Sequence, residues 1–193
     1  MSKKLEEIID FMIDEKGSPV EINNMEAWAL IWDATDNVHY YNDKFIRCKE
    51  LIETGDKIFL IDENHTYLII SQVALKENHY RARLRKCNQL LLKEIPGEEV
   101  IVGYDPMGRP IYEYTDPQDI YFPAIAENRA MDIKSNQPIV LLENEIMAIL
   151  QDNIENREHF IEDERFKVVG KEYRVIGVGR LQNGLITIKG ELV

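Results

Sequence analysis

A short β-strand pattern occurs twice in this chain of 193 residues. In the first half, residues 55–61 are followed by residues 67–70, and in the second half residues 163–169 are followed by residues 173–176. Each copy places two short apolar runs on either side of a polar turn, which is the pattern of a β-hairpin. A hairpin must bury one face against further strands. The repeat therefore predicts a duplicated β unit.

The similarity between the two halves extends beyond the hairpins. Downstream, residues 80–84 and residues 184–188 each predict one further strand. Upstream, residues 29–33 resemble residues 148–152, although the distance to the hairpin is shorter in the second half. We therefore expect two diverged copies, of which the first has a longer excursion and the second is compact.

The N-terminal residues 1–19 predict a short amphipathic helix over positions 3–16. Leu5, Ile8, Ile9 and Met12 share one face at helical spacing, and Gly17 follows as a suitable end to the helix. The favoured interpretation is that this stripe packs on the chain's own barrel, since helix stripes usually face their own core. The alternative is that the stripe docks on a neighbouring subunit.

Residues 20–94 form the predicted first β unit. A strand is expected at 26–33, a turn at Asp36 and Asn37, a hairpin of residues 58–61 and 66–73, and a long last strand over 80–92. Alternation along the last strand places Arg81, Arg83 and Arg85 on one face. Because the chain as a whole is acidic, we rank intramolecular pairing of these arginines first, an acidic partner protein second and nucleic acid last.

Residues 95–138 are predicted to be a proline-rich arm between the two units. They hold six of the seven prolines, which marks a connecting region. Within the arm, residues 99–104 and 110–114 flank a turn at 105–109 and predict an extended hairpin. Residues 139–193 form the second β unit, in which Asn183 and Gly184 predict a tight hairpin turn. The expected fold is mainly β, with two related small β-barrel or sandwich units and one short N-terminal helix.

Composition limits the classes of partner. The chain carries 35 acidic and 23 basic residues, a formal net charge of −12, which argues against a surface built to attract nucleic-acid phosphates.

Cys48 and Cys87 match no metal or redox spacing, so free thiols in an intracellular chain are expected. The N-terminus shows no signal-peptide pattern, and no apolar run approaches the ~20 residues needed to span a bilayer.

None of the candidate reactive motifs in the sequence is complete. Gly103 and Gly108 have the spacing of a phosphate-binding loop, but Arg109 and Pro110 stand where lysine and a hydroxyl residue are required. The histidines, His39, His65, His79 and His159, show no paired spacing that suits a metal and are predicted to lie in solvated loops. The acidic run Glu162, Asp163 and Glu164 lacks the pattern of a calcium-binding loop and is predicted to be a polar turn. Ser71 and Ser135 lack a nucleophile-elbow context. We therefore assign no catalytic, cofactor-binding or metal residue and predict that the chain is not an enzyme.

Three stretches resemble the head-closure or head-to-tail connector proteins of tailed bacteriophages and prophages, particularly those of Gram-positive hosts. They are residues 21–24 and 29–31 with 55–56 and 67–71, the arginine-rich strand 80–88 ending in Cys87 and Asn88, and residues 163–166, 173–177 and 183–188. In the arm, Arg109 and Pro110 fit the resemblance, whereas Ile111 and Tyr112 stand where a Pro-Cys pair is expected.

The resemblance implies a structural virion protein made in the bacterial host. Such a protein forms an oligomeric ring at the neck, contacts the portal or adaptor and the tail proteins, and closes the DNA-filled head. An acidic ring suits this role, because its lumen repels the DNA backbone and lets the genome pass without specific binding. The alternative is an OB-like barrel that binds single-stranded nucleic acid through Tyr80 and the arginine row.

Overall fold

Two closed six-stranded β-barrels make up most of the computed structural model, which describes residues 2–35, 43–127, 129–131, 138–140 and 144–193. This confirms the prediction of a mainly β chain with two related barrels. The turn expected at Asp36 and Asn37 lies outside the described residues, as do His39 and Ser135.

The first barrel is formed by the N-terminal half. Its strands are β1 Ser18–Ile22, β2 Met25–Asp33, β3 Lys44–Cys48, β4 Lys57–Leu60, β5 His65–Ile69, β6 Ala74–Lys76 and β7 His79–Lys86. The order around the barrel is β1-β2-β3-β7-β5-β4, every pairing is antiparallel, and β6 is added beside β7. Inward side chains such as Val20, Ile46, Ile58 and Leu84 form its core.

The second barrel begins immediately after β7. The next strands are β8 Gln89–Ile95, β9 Glu99–Tyr104, β10 Pro110–Tyr114, β11 Gln118–Glu127, β12 Arg129–Met131, β13 Pro138–Val140, β14 Glu145–Gln151, β15 Arg165–Val168, β16 Lys171–Gln182 and β17 Leu185–Leu192. The barrel order is β8-β11-β14-β17-β16-β15, while β9 pairs with β10 and β12 with β13 outside it. Leu91, Phe166 and Ile186 lie in its core.

The two barrels share one topology. If the six barrel strands of each unit are numbered in chain order, both close as 1-2-3-6-5-4. The predicted equivalence of the hairpins is confirmed, because β4 and β5 occupy the positions of β15 and β16, and β7 that of β17. The upstream equivalence was wrong: residues 29–33 belong to the second strand of their barrel, whereas residues 148–151 belong to the third. The apparent compression came from matching strands that are not equivalent.

The junction between the barrels differs from the expected boundary. The single strand predicted over 80–92 is two strands, because β7 closes the first barrel and β8 opens the second. Asn88, between them, is held by β11: its side chain donates to the Ala126 carbonyl and accepts from the Ala126 amide, both at 2.8 Å. The expected arm is correspondingly shorter, since β11 is a barrel strand, and the β9–β10 and β12–β13 pairs lie outside both barrels.

Helix α1, Ser2–Lys16, confirms the predicted N-terminal helix and packs mainly on β2. The Gly17 amide donates to the Ile13 carbonyl at 3.0 Å, which ends the helix. A second helix, α2, Ile154–His159, was not predicted. The Asn153 side chain accepts a hydrogen bond from the Asn156 amide at 2.7 Å and so caps the first turn of α2.

An apolar contact joins the two barrels. Leu68 and Ile70 of the first barrel pack with Ile125, Ile149 and Leu185 of the second, and Cys87 lies against this cluster. These side chains alternate with core residues along their strands, so the strands that carry them are buried on both faces. Two hydrogen bonds cross the same contact, from Gln182 to the Ile70 carbonyl at 3.0 Å and from Gln151 to the Asn23 side chain at 2.9 Å.

Candidate functional site

The arginine row of β7 is engaged within the chain. Arg81 lies over the rings of Trp32 and Phe45, with its guanidinium carbon 5.3 Å and 4.9 Å from their centroids. The row does occupy one outer face of the barrel, as alternation predicts, because Ala82 and Leu84 point into the core. This cation–π stack holds the first arginine against its own sheet.

Asp43 holds the other two arginines of the row. Its carboxylate is 2.9 Å from the Arg83 Nε, and it accepts two hydrogen bonds from Arg85, each of 2.9 Å. Asp43 is 1% exposed and Arg85 is 7% exposed, so this is a buried ion pair and not a solvated one. The first-ranked expectation, intramolecular pairing, is therefore met. Three arginines bound to their own sheet do not form an open stripe for phosphates.

The histidines differ from the expectation of solvated loops in two of three described cases. His65 is exposed, but His159 packs on the Phe122 ring at 5.3 Å. His79 is 1% exposed and its Nε2 lies 3.1 Å from the Asp10 carboxylate of α1. This hydrogen bond lowers the pKa of Asp10. His79 therefore helps to anchor the helix on the barrel.

Both cysteines are free thiols, as predicted. Cys48 lies in the core of the first barrel and Cys87 against the contact between barrels. Burial raises the pKa of each thiol to about 12, so both stay protonated at neutral pH. A protonated thiol is a poor nucleophile and a poor metal ligand.

We expect both thiols to resist alkylation in the folded protein. With a pKa near 12, the thiolate fraction at pH 8 is roughly a thousandfold below that of an ordinary cysteine. Mass spectrometry should show slow iodoacetamide labelling of the native chain and rapid labelling of both cysteines in denaturant. Rapid labelling of native Cys87 would contradict its placement between the barrels.

Two surface grooves lie beside β8. One, of about 380 Å³, lies where β8 meets β15, and its charges pair with each other: Lys93 with Glu164 at 2.7 Å, Arg165 with Glu172 at 3.3 Å, and Lys167 with Glu94. The hydrogen bond from Lys93 lowers the pKa of Glu164, which keeps that carboxyl ionised. The other groove lies beside Cys87 and Asn88. Within the described ranges, no three or more histidine, cysteine or acidic side chains are grouped to hold a metal.

The β9–β10 hairpin, to which we now restrict the name arm, is one exposed apolar surface of the described residues. It has the bounds predicted from the sequence, 99–104 and 110–114. Its turn is fixed by Asp105, whose carboxylate accepts hydrogen bonds from the amides of Met107 and Arg109 at 2.8 Å and 2.9 Å. Apolar side chains on both faces are 44% to 77% exposed: Val100, Ile101, Val102, Tyr104, Met107, Ile111, Tyr112 and Tyr114.

The second exposed surface lies on α1 and corrects the favoured interpretation of the helix stripe. Ile9 and Ile13 are buried against the barrel, but the other residues of the stripe are not. Four apolar side chains of α1 are 40% to 62% exposed, namely Leu5, Ile8, Phe11 and Met12. We call these four residues the helix face. The helix is anchored by polar contacts on its other side, where Lys49 bonds Asp14 at 2.7 Å and Asn78 bonds Glu6 at 2.6 Å. The outward orientation of the helix face is therefore fixed.

These observations define a tandem-barrel protein with exposed apolar surfaces on the arm and on α1. Comparison with protein families gives a match of residues 3–86 to the YomX N-terminal domain and of residues 94–191 to the YomX C-terminal domain. The chain belongs to the YomX family, a family of prophage-region proteins, and is phage-associated. Residues 87–93, between the two matched segments, contain the junction of β7 with β8 and most of β8.

No curated protein and no solved structure matches the chain. Among the described helices, neither is long and apolar enough to cross a membrane.

Proposed function

We propose that this chain is a non-enzymatic structural virion protein of the phage neck. In this role it forms a ring at the portal vertex, closes the DNA-filled head and provides the platform on which the tail assembles. Its partners are further copies of itself, the portal or adaptor protein and tail proteins. The sequence resemblance to head-to-tail connectors and the phage association of the family support this proposal.

The observation that carries the proposal is the pair of exposed apolar surfaces, the arm and the helix face. Exposed apolar area of this kind marks contact with other proteins. A two-stranded ribbon is marginally stable alone in water, so an arm with apolar side chains on both faces is suited to being covered in an assembly. Two barrels that hold such exposed apolar segments in place suit a structural protein of the virion.

The acidic composition fits the proposed lumen. A net charge of −12 per copy, repeated around a ring, gives a strongly negative surface. Double-stranded DNA is repelled by such a surface and passes without being held. The engagement of Arg81, Arg83 and Arg85 within the chain agrees with this, because the basic row is not presented as a binding stripe.

Two measurements on the phage test this function. Mass spectrometry of purified particles should detect the chain in stoichiometric amounts, and loss of the gene should leave DNA-filled heads without tails in electron micrographs. A chain absent from intact particles would rule out the proposal. Tails that attach normally without it would rule out the role at the neck.

A further inference from the structure

The outer face of the first barrel carries aromatic and basic side chains where β2, β3 and β7 run side by side. The strand register places Trp32, Phe45 and Arg83 in one row across these three strands. Arg81 belongs to the next row, but its guanidinium lies over the rings of Trp32 and Phe45. Cation–π contact with two rings therefore holds this guanidinium in one place on the barrel surface.

Arg81 differs from the other arginines of this face because it has no carboxylate of its own. The others are paired within the chain: Arg47 with Glu77, and both Arg83 and Arg85 with Asp43. Within the part of the chain that the structure describes, the half-buried Arg81 side chain makes ring contacts but no hydrogen bond or ion pair. Its N–H donors are therefore left for a group outside the barrel.

The charge of the chain indicates which acceptor suits Arg81. A guanidinium can donate two parallel hydrogen bonds to a carboxylate or to a phosphate. Nucleic-acid affinity depends on many phosphate contacts, whereas this face offers one unused guanidinium in a chain of net charge −12. A carboxylate of another protein needs only one such partner. The observations therefore favour an acidic protein segment over a nucleic acid.

The surroundings of Arg81 have the composition of a protein–protein contact. Both tryptophans of the chain, Trp28 and Trp32, lie on the outer side of β2, since Ala27 and Ala29 face the core. They are 54% and 37% exposed. Tryptophan and arginine are among the residues that most often dominate binding energy at protein interfaces. We call Trp28, Trp32, Phe45 and Arg81 the Trp–Arg patch.

We propose that the Trp–Arg patch binds an acidic segment of a different virion protein. A carboxylate of that segment accepts two hydrogen bonds from Arg81, and an apolar side chain beside it packs on the tryptophan rings. The acidic remainder of this chain repels the same segment, so the attraction is confined to the patch and fixes how the partner docks. The inference rests on the proposed neck function and names the chemistry of one partner.

Titration of the full-length chain with short peptides tests this chemistry. The probe is a capped peptide of glutamates and leucines separated by glycines, and its matched control carries glutamine in place of every glutamate. Nitrogen–proton spectra of the arginine Nε–H groups report the contact even when binding is weak. The glutamate peptide should shift the Arg81 signal and should bind about tenfold or more tightly than the glutamine peptide.

Equal affinity for the two peptides would overturn the proposal. A short oligothymidylate forms the nucleic-acid arm of the same titration. It should leave the Arg81 signal unchanged at physiological salt. Binding of the oligothymidylate through Arg81 that is tighter than binding of the glutamate peptide would also overturn the proposal, because it would assign the patch to nucleic acid.

Substitutions of Arg81 separate its charge from its shape. Arg81→Gln should weaken binding of the glutamate peptide about tenfold or more, and Arg81→Lys should lie between, because lysine keeps the charge but loses the planar fork. Arg165→Gln is the matched control, since Arg165 lies on a strand of the other barrel and is 61% exposed. Circular dichroism and thermal melting verify that each variant is folded. An Arg81→Gln variant that binds like the wild type would overturn the proposal.

Genetics in the phage tests the source of the partner. Arg81→Glu should reduce plaque formation, and suppressors should replace an acidic residue by a basic one in a different virion protein. Normal plaques from Arg81→Glu would overturn the proposal, as would suppressors confined to this chain. Virion composition is a separate result. A chain found in particles with a dispensable Arg81 refutes the patch and leaves the neck function standing, whereas a chain absent from particles refutes the neck function itself.

Discussion

Replacing Asp43 with alanine should reduce the free energy of unfolding by about 3–5 kcal/mol, the usual effect of removing one partner from a buried ion pair. Asp43 is the shared carboxylate for Arg83 and Arg85, with both oxygens within 2.9 Å of guanidinium nitrogens. Its loss removes, from a largely buried site, the carboxylate that the two guanidinium groups share. Urea titration monitored by tryptophan fluorescence measures the change.

The matched control is Asp33→Ala, which removes an ion pair of the same length at the surface. Asp33 bonds Lys44 at 2.9 Å, but its side chain is 73% exposed and Lys44 has a second partner in Glu63. Surface pairs contribute about 0–1 kcal/mol, so this variant should unfold near the wild-type midpoint. Equal losses in the two variants would mean that Asp43 is not a buried charge centre.

The strands that could be predicted are those whose local pattern is complete. The hairpins of β4 with β5 and of β9 with β10, and the turn at Asn183 and Gly184, carry both apolar alternation and turn residues within a few positions. The arginine row followed from alternation alone. These patterns can be predicted because the turn conformation and the alternation of apolar side chains are both determined within a single hairpin.

The upstream strand equivalence failed because residues 148–150 are apolar throughout. Residues 148–150 include Ile149, which faces the first barrel, and its neighbours Ala148 and Leu150, which face the core of the second. A strand buried on both faces loses its alternation, so its position in the barrel cannot be read from its residues. The same continuous character at Leu68, Ile69 and Ile70 indicates, in retrospect, the contact between barrels.

The exposed helix face shows a different limit of sequence reasoning. The spacing of Leu5, Ile8, Ile9 and Met12 correctly places an apolar stripe on a helix, but it does not say which edge of that stripe meets the barrel. Two polar contacts fix the rotation of α1 on the barrel, since Asp10 bonds His79 and Asp14 bonds Lys49. Those pairs join residues far apart in the chain, and no local pattern reveals them.

Replacing Gly184 with alanine should destabilise the chain by about 3 kcal/mol and separate the unfolding of the two barrels. Gly184 turns the β16–β17 hairpin with φ +78°, and an added Cβ would lie 1.6 Å from the Thr54 carbonyl oxygen of the first barrel. A backbone atom cannot rotate away, so the barrels must move apart and loosen the cluster around Leu185 and Ile70. Denaturation should then show two transitions, whereas the wild type should show one.

Gly170→Ala separates the two causes of this loss. Gly170 has φ +74° in the β15–β16 hairpin, but nothing lies within 4 Å of an added Cβ. Alanine there experiences only the left-handed backbone strain, about 1–2 kcal/mol, and the barrels keep their contact. If Gly170→Ala and Gly184→Ala lose equal stability and both unfold in one transition, the close approach of Gly184 to Thr54 does not hold the barrels together. A larger loss with two transitions for Gly184→Ala alone assigns the coupling to that contact.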